Sequence, residues 1–136
     1  MSAVAADLLA YIDTNTSETA GTDLFESGFT EQPDNQVCVI HFGGGDAERV
    51  MSASKTAPDI ETALVQVLVR NTAMATANTK AQAIHALLDN LQEYSGASGT
   101  RYMLVESMAG EPHSVGVDDN HRWVYMANYE VQKARG

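Results

Sequence analysis

Two nearly unbroken apolar runs constrain this chain more than any other feature. Val37-Cys38-Val39-Ile40 lies within residues 36–42, and Ala63, Leu64, Val65, Val67 and Leu68 fill residues 61–69. Apolar residues stand at successive positions in both, and β-branched side chains dominate. Both therefore predict strands, 36–42 buried on two faces and 61–69 central in its sheet. Gly43-Gly44-Gly45-Asp46 is expected to stop the first strand. Residues 46–60, which hold Pro58, then read as an irregular connection.

The remaining elements follow from period. Val4, Leu8, Leu9 and Ile12 predict a short amphipathic helix over 3–13, capped by Ser2, with Asp7 and Asp13 on its polar face. Polar residues 14–21 make a connection, and Leu24-Phe25 a short strand. Ala77, Ala81, Ile84, Leu88 and Leu91 step at helical spacing and predict a helix over 77–94, started at Thr76 or Asn78 and closed by Gly96. Residues 101–108 and 121–131 read as strands, joined by turns through Gly110, Pro112, Gly116, Asp118 and Asp119. The order defines one α+β domain over 1–136: a mostly antiparallel sheet of four to five strands with two helices packed on one face.

Composition bounds what such a domain can do. Leu, Ile, Val and Phe make up only about a fifth of the 136 residues, a lean core for a small domain. Burial against other subunits would supplement it. A formal charge of -10 argues against sequence-independent nucleic-acid binding and against an anionic membrane surface, since both need Lys and Arg. A single cysteine, Cys38, excludes an intrachain disulfide and a multi-cysteine zinc site. No basic n-region precedes Asp7 and no run approaches a membrane span, so a soluble protein made in the cytoplasm is expected.

Motifs for chemistry are sparse. The glycine run at 43–45 lacks the spacing of a dinucleotide loop and the Gly-Lys-Ser/Thr of a Walker loop, and Asp46 and Glu48 would repel a phosphate. His41, His85, His113 and His121 have no helical pairing that would gather metal ligands. The segment from His113 to His121, with Asp118-Asp119 inside it, is the best candidate for a metal or acid-base site, against a solvated turn as its plain alternative. No Gly-x-Ser-x-Gly elbow exists, and Cys38 in an apolar strand is expected to be inert. Neither a cofactor nor a metal is implied. Trp123, Tyr125, Met126 and Tyr129 concentrate interface-type side chains on the last strand, where they equally suit a core.

Pro58-Asp59-Ile60-Glu61 leads to Val65-Gln66-Val67-Leu68-Val69-Arg70, then comes a helix containing Ala-Ile-His-Ala-Leu-Leu, then Gly116-Val117-Asp118-Asp119-Asn120-His121-Arg122-Trp123. This order resembles the tail terminator and minor capsid proteins of long-tailed phages, over roughly residues 24–131. In them a strand ends in Arg, a helix carries Leu-Leu, and Gly-x-Asp-x-x-x-Arg opens the last strand. Here those positions are Arg70, Leu87-Leu88, and Gly116, Asp118 and Arg122. The resemblance implies a structural virion protein, made in the host cytoplasm and located at the head-proximal end of the tail. It implies a homo-oligomer, a hexameric ring that caps the tail tube protein, stops its polymerisation and joins the head-neck connector protein. DNA would pass through such a ring without specific binding. The interface candidates are Gly43, Gly44, Gly45, Asp46, Arg70, Arg122, Trp123, Tyr125, Met126 and Tyr129, with 43–60 suited to touching tube or neck. Two other classes stay open: a ligand- or metal-binding domain or enzyme using the His113–His121 loop, and a monomeric adaptor for one protein partner.

Overall fold

The computed structural model describes residues 4–26, 28–31, 33–48, 60–96 and 98–134, by backbone alone at 44–48, 60 and 134. Its elements are α1 (Val4–Asn15), β1 (Leu24–Phe25), β2 (Gln36–Glu48), β3 (Ile60–Asn71), α2 (Met74–Leu88), β4 (Leu91–Ser95), β5 (Arg101–Ser107), β6 (His113–Val117) and β7 (Trp123–Ala134). The strands form one sheet in the order β1-β2-β3-β7-β5-β4, with β6 also paired to β7. The domain is α+β, as the patterns predict, but among the described residues the sheet has seven strands rather than four or five. It is mixed, because β1 runs parallel to β2 while the other pairs are antiparallel.

Register explains which side chains meet. Val37, Val39, Val65, Val67, Val69, Tyr125, Ala127, Tyr129 and Val131 share one face through the pairings Val37↔Val69, Val67↔Ala127 and Val65↔Tyr129. Both helices lie against this face, α1 through Val4, Leu8 and Ile12, and α2 through Ala77, Ala81, Ile84 and Leu88. Each Leu or Ile buried fully there contributes about 1.5–3 kcal/mol. The alanines of α2 let its backbone lie close to the sheet.

The helix ends differ from the expected ones for identifiable reasons. At the end of α1, Thr14, Asn15 and Thr16 donate back to the carbonyls of Ala10, Tyr11 and Ile12, satisfying groups that the helix leaves unpaired. The predicted cap Ser2 lies outside the described residues. Helix α2 begins at Met74, with the Asn71 side chain accepting from Ala73 N–H at 3.0 Å, and neither Thr76 nor Asn78 caps it. It stops at Leu88 rather than 94, because the backbone becomes extended at Asp89, with ψ 126°, and left-handed at Asn90, with φ 63°. Leu91 still reaches the core rim, but from strand β4, so its helical spacing misleads.

Two further expectations are corrected. The glycines after Phe42 do not end β2: pairing with β3 continues to Glu48↔Ile60, through irregularities at His41/Gly43 and Gly44/Ala47. Bulges absorb the extra residues without breaking the ladder. Residues 46–48 are therefore strand, and 49–59 lie outside the described residues. The second correction is β6, formed where a turn-rich connection is expected. Gly116, at φ 110°, sits at its irregularity opposite Val124.

Asp7 is not on a polar face either. It is 2% exposed, and its carboxylate accepts from Ser98 N–H at 3.1 Å, Ser98 Oγ at 2.6 Å and Tyr102 OH at 2.5 Å, pinning α1 to the β4–β5 turn. A Cβ on Gly96 would stand 2.4 Å from Asp7 Oδ2. Gly96→Ala is thus expected to cost about 1–3 kcal/mol of folding stability, the range for forcing extra volume into a packed site. Urea denaturation measures it, and an unchanged midpoint would contradict the account.

Candidate functional site

The residues that carry the resemblance converge on one structure. Arg70 ends β3 and Arg122 immediately precedes β7, on the side of the sheet opposite the helices, since Arg70 pairs with Val124. Both are nearly sealed from solvent, at 4% and 6% exposure. Arg70 donates from Nε to the Asp34 carbonyl at 2.9 Å and from Nη2 to those of Thr30 at 2.8 Å and Pro33 at 2.7 Å. Its guanidinium also lies 4.7 Å from the centre of the Phe29 ring. Arg122 donates from Nη1 to the Glu31 carbonyl at 2.8 Å and contacts Asp34 Oδ1 at 3.3 Å. Gln36 completes the cradle, its Nε2 donating to Thr30 and Pro33 carbonyls and its Oε1 accepting from Thr30 N–H.

Loop 29–34 is therefore held mainly through its backbone carbonyls. Guanidinium groups suit this task, because their planar donors fan out to several acceptors while the charge stays fixed. Asp118 orients Arg122, accepting from its backbone N–H and its Nε at 2.9 and 2.8 Å. Removal from water pushes the Asp118 carboxyl up, but the Arg122 backbone, the Arg122 side chain and the Asn120 N–H together pull it below its ordinary value of 3.8. The sign follows: a carboxyl lowered on folding contributes stability above its unfolded pKa and loses it as pH falls through the folded one. Melting curves from pH 6 to pH 3 should show a falling midpoint that flattens in Asp118→Asn. An equal slope in that variant would contradict the assignment.

The structure distributes the other sequence candidates unevenly. Tyr125 and Tyr129 are buried under the helices, and Trp123 packs partly buried against the same core. Tyr129 OH meets His85 Nδ1 at 3.1 Å, and burial raises the Tyr129 pKa. Met126 lies on the other face, half-buried, its sulfur accepting from Gln66 Nε2 at 2.8 Å. Gly43, Gly44, Gly45 and Asp46 belong to β2, Gly43 and Gly44 pairing with Leu64 and Ala63 and Gly45 and Asp46 falling in the register shift before Ala47, far along the sheet from the two arginines. Sequence reasoning missed the cradle residues Phe29, Thr30, Glu31 and Pro33 as a unit, and Gln36 with them. The one available signal was a glutamine at the head of an apolar strand, where a buried amide needs partners.

Among the described residues, neither helix lies on the opposite face of the sheet, which is rich in apolar residues beyond loop 29–34. Ile40, Leu64, Leu68, Leu104, Val124 and Met126 share it by register and are each half-buried. At its centre Gln66 bonds Asn128. Glu106 stands directly opposite Glu130 on the same face.

Among the described residues no group of three or more His, Cys, Asp or Glu side chains is placed to hold a metal ion. Both carboxylate oxygens of Asp118 accept from Arg122, and Oδ1 also from Asn120 N–H. Burial pushes the Cys38 thiol up to about 12, leaving no reactive thiolate near neutral pH. No helix among the described residues is long and apolar enough to cross a membrane.

Loop, sheet and helices thus define an α+β domain in which Arg70, Asp118 and Arg122 hold the domain's own loop in place. The model of the bacteriophage tail terminator protein family matches residues 11–135; the chain belongs to that family and is a structural tail protein. Among solved structures, a chain from the virion of a native gene transfer agent particle is similar, with a TM-score of 0.58 at 16% identity, covering 99% of this chain and 100% of that one. That likeness shows the shared fold. None of the curated proteins compared matches the chain.

Proposed function

We propose that this protein acts as the tail terminator of a phage-like particle. Copies close into a ring, a hexamer, on the end of the tail tube. The ring halts addition of tube protein and offers its other side to the head-neck connector, and DNA passes through without specific contacts. The observation that carries this reading is family membership across residues 11–135. The likeness to a virion chain agrees with it, as does the apolar sheet face that the helices leave open. Of the residues singled out from the sequence, we place Met126 and residues 43–46 at contacts between proteins. Arg70 and Arg122 act one step behind, shaping loop 29–34 for such a contact.

The test is a tube-assembly assay with the cognate tube protein. Adding the chain during polymerisation should stop elongation at a ratio of a few copies per tube. Tubes that grow to the same length distribution with and without it would reject the proposal.

A further inference from the structure

Two copies of a chain with net charge -10 repel wherever both present its average surface, so any self-contact must use surfaces that depart from that average. Among the described residues two such surfaces stand out, and they lie on opposite sides of the sheet. The first is the open face. Sheets that expose one face to water alternate apolar with polar residues, whereas here the outward positions of β3 and β7 include Leu64, Leu68, Val124 and Met126. Its two arginines are sealed beneath loop 29–34. Its other described charges include Glu106 and Glu130, directly opposed, a pairing that like charges disfavour. Among the described residues no cation neutralises either carboxylate.

The second surface is the outer side of α2. Its fifteen residues contain no Asp or Glu and one Lys, in a chain with eighteen acidic residues. Its exposed positions are uncharged and, after Met74 at the helix start, mostly short, among them Ala75, Thr79, Ala83 and Ala86. The fold already shows how this pair of shapes combines, since the inner side of α2 packs on the covered face of β3 and β7.

We infer that the open sheet face of one copy receives the outer side of α2 from the next copy, a helix-on-sheet contact that bears on Glu106 and Glu130 with an acid-free surface. This inference rests on the ring reading above and names the surfaces that make the ring. Because the two patches differ and face opposite ways, each copy presents one to each neighbour. That is a heterologous contact, which closes into a ring when its rotation divides the circle. Every copy then covers the apolar face that its own helices leave bare.

Cysteine cross-linking on tube-bound protein tests it. In a Cys38→Ser background, Leu64→Cys combined with Ala83→Cys should give, on mild oxidation, a covalent ladder of multimers. The two positions lie on opposite sides of one sheet, so they cannot bridge within a copy. Either cysteine alone should give no ladder. Dimers from Leu64→Cys alone would mean that open faces meet each other and would overturn the inference. Met126→Lys and Ala86→Glu change exposed or half-exposed positions, and each should abolish the ring while its melting midpoint stays within a few degrees of the parent. A ring that forms with both substitutions overturns this contact and leaves the ring reading standing. Wild-type protein that never forms a ring, even on tubes, overturns both.

Discussion

Replacing Arg70 with Met should destabilise the domain by about 3–5 kcal/mol, the range for removing one partner from a buried charged network. The physical reason lies in what the guanidinium leaves behind. It bonds the carbonyls of Thr30, Pro33 and Asp34 and rests against Phe29, and a methionine of similar length keeps the apolar stem but none of the donors. Gln36 still reaches Thr30 and Pro33, so loop 29–34 loses one of its holds rather than all of them. Arg70→Lys should rescue little, because one ammonium cannot address three carbonyls in a fan. The double variant with Arg122→Met should cost less than the two single losses combined, since both arginines hold the same loop and share the consequence of its release. Chemical denaturation of the four species measures the cycle. Strict additivity, or a single variant with parental stability, would show that the clamp does not hold the loop.

The second large effect separates core from contact. Tyr129 is 1% exposed beneath the helices, although its place on the last strand also suits a protein interface. Tyr129→Ala should cost about 3–5 kcal/mol, as truncation of a large buried ring does. Tyr129→Phe, which removes only the hydroxyl that meets His85, should cost about 1 kcal/mol. The loss should be independent of protein concentration, because it arises within one copy. A Tyr129→Ala variant that melts like the parent yet fails to assemble would place this ring at an interface instead.

These two residues also show what could be read from the sequence. Strands at 36–42, 61–69, 101–108 and 121–131 were legible because burial imposes period and β-branching on a strand, and Leu24-Phe25 was legible as a short one. Tyr129 and Met126 lie on opposite faces by parity alone, as register confirms. The stop of α2 was illegible: Leu91 continues a helical spacing, and the break comes from the extended backbone at Asp89 and the left-handed turn at Asn90. Continuation of β2 past its glycines was hidden because bulges have no compositional mark distinct from turns. At the candidate site, Arg70, Gly116, Asp118 and Arg122 could be picked out by their order, but not their shared purpose. The loop they serve lies at residues 29–34, and Asp34 and Arg122 are 88 positions apart in the chain. No local pattern encodes a contact of that range, and buried arginines are indistinguishable from surface ones in a sequence.

We propose that this domain works by assembling with copies of itself on a tail. Cryo-electron microscopy of tube ends formed with the cognate tube protein and this chain tests that most directly. The claim predicts a closed ring of identical subunits confined to one end of each tube; six copies of 14.6 kDa would give it a mass of about 88 kDa. Single copies scattered along the tube wall, or bare ends with the protein left monomeric in solution, would contradict it.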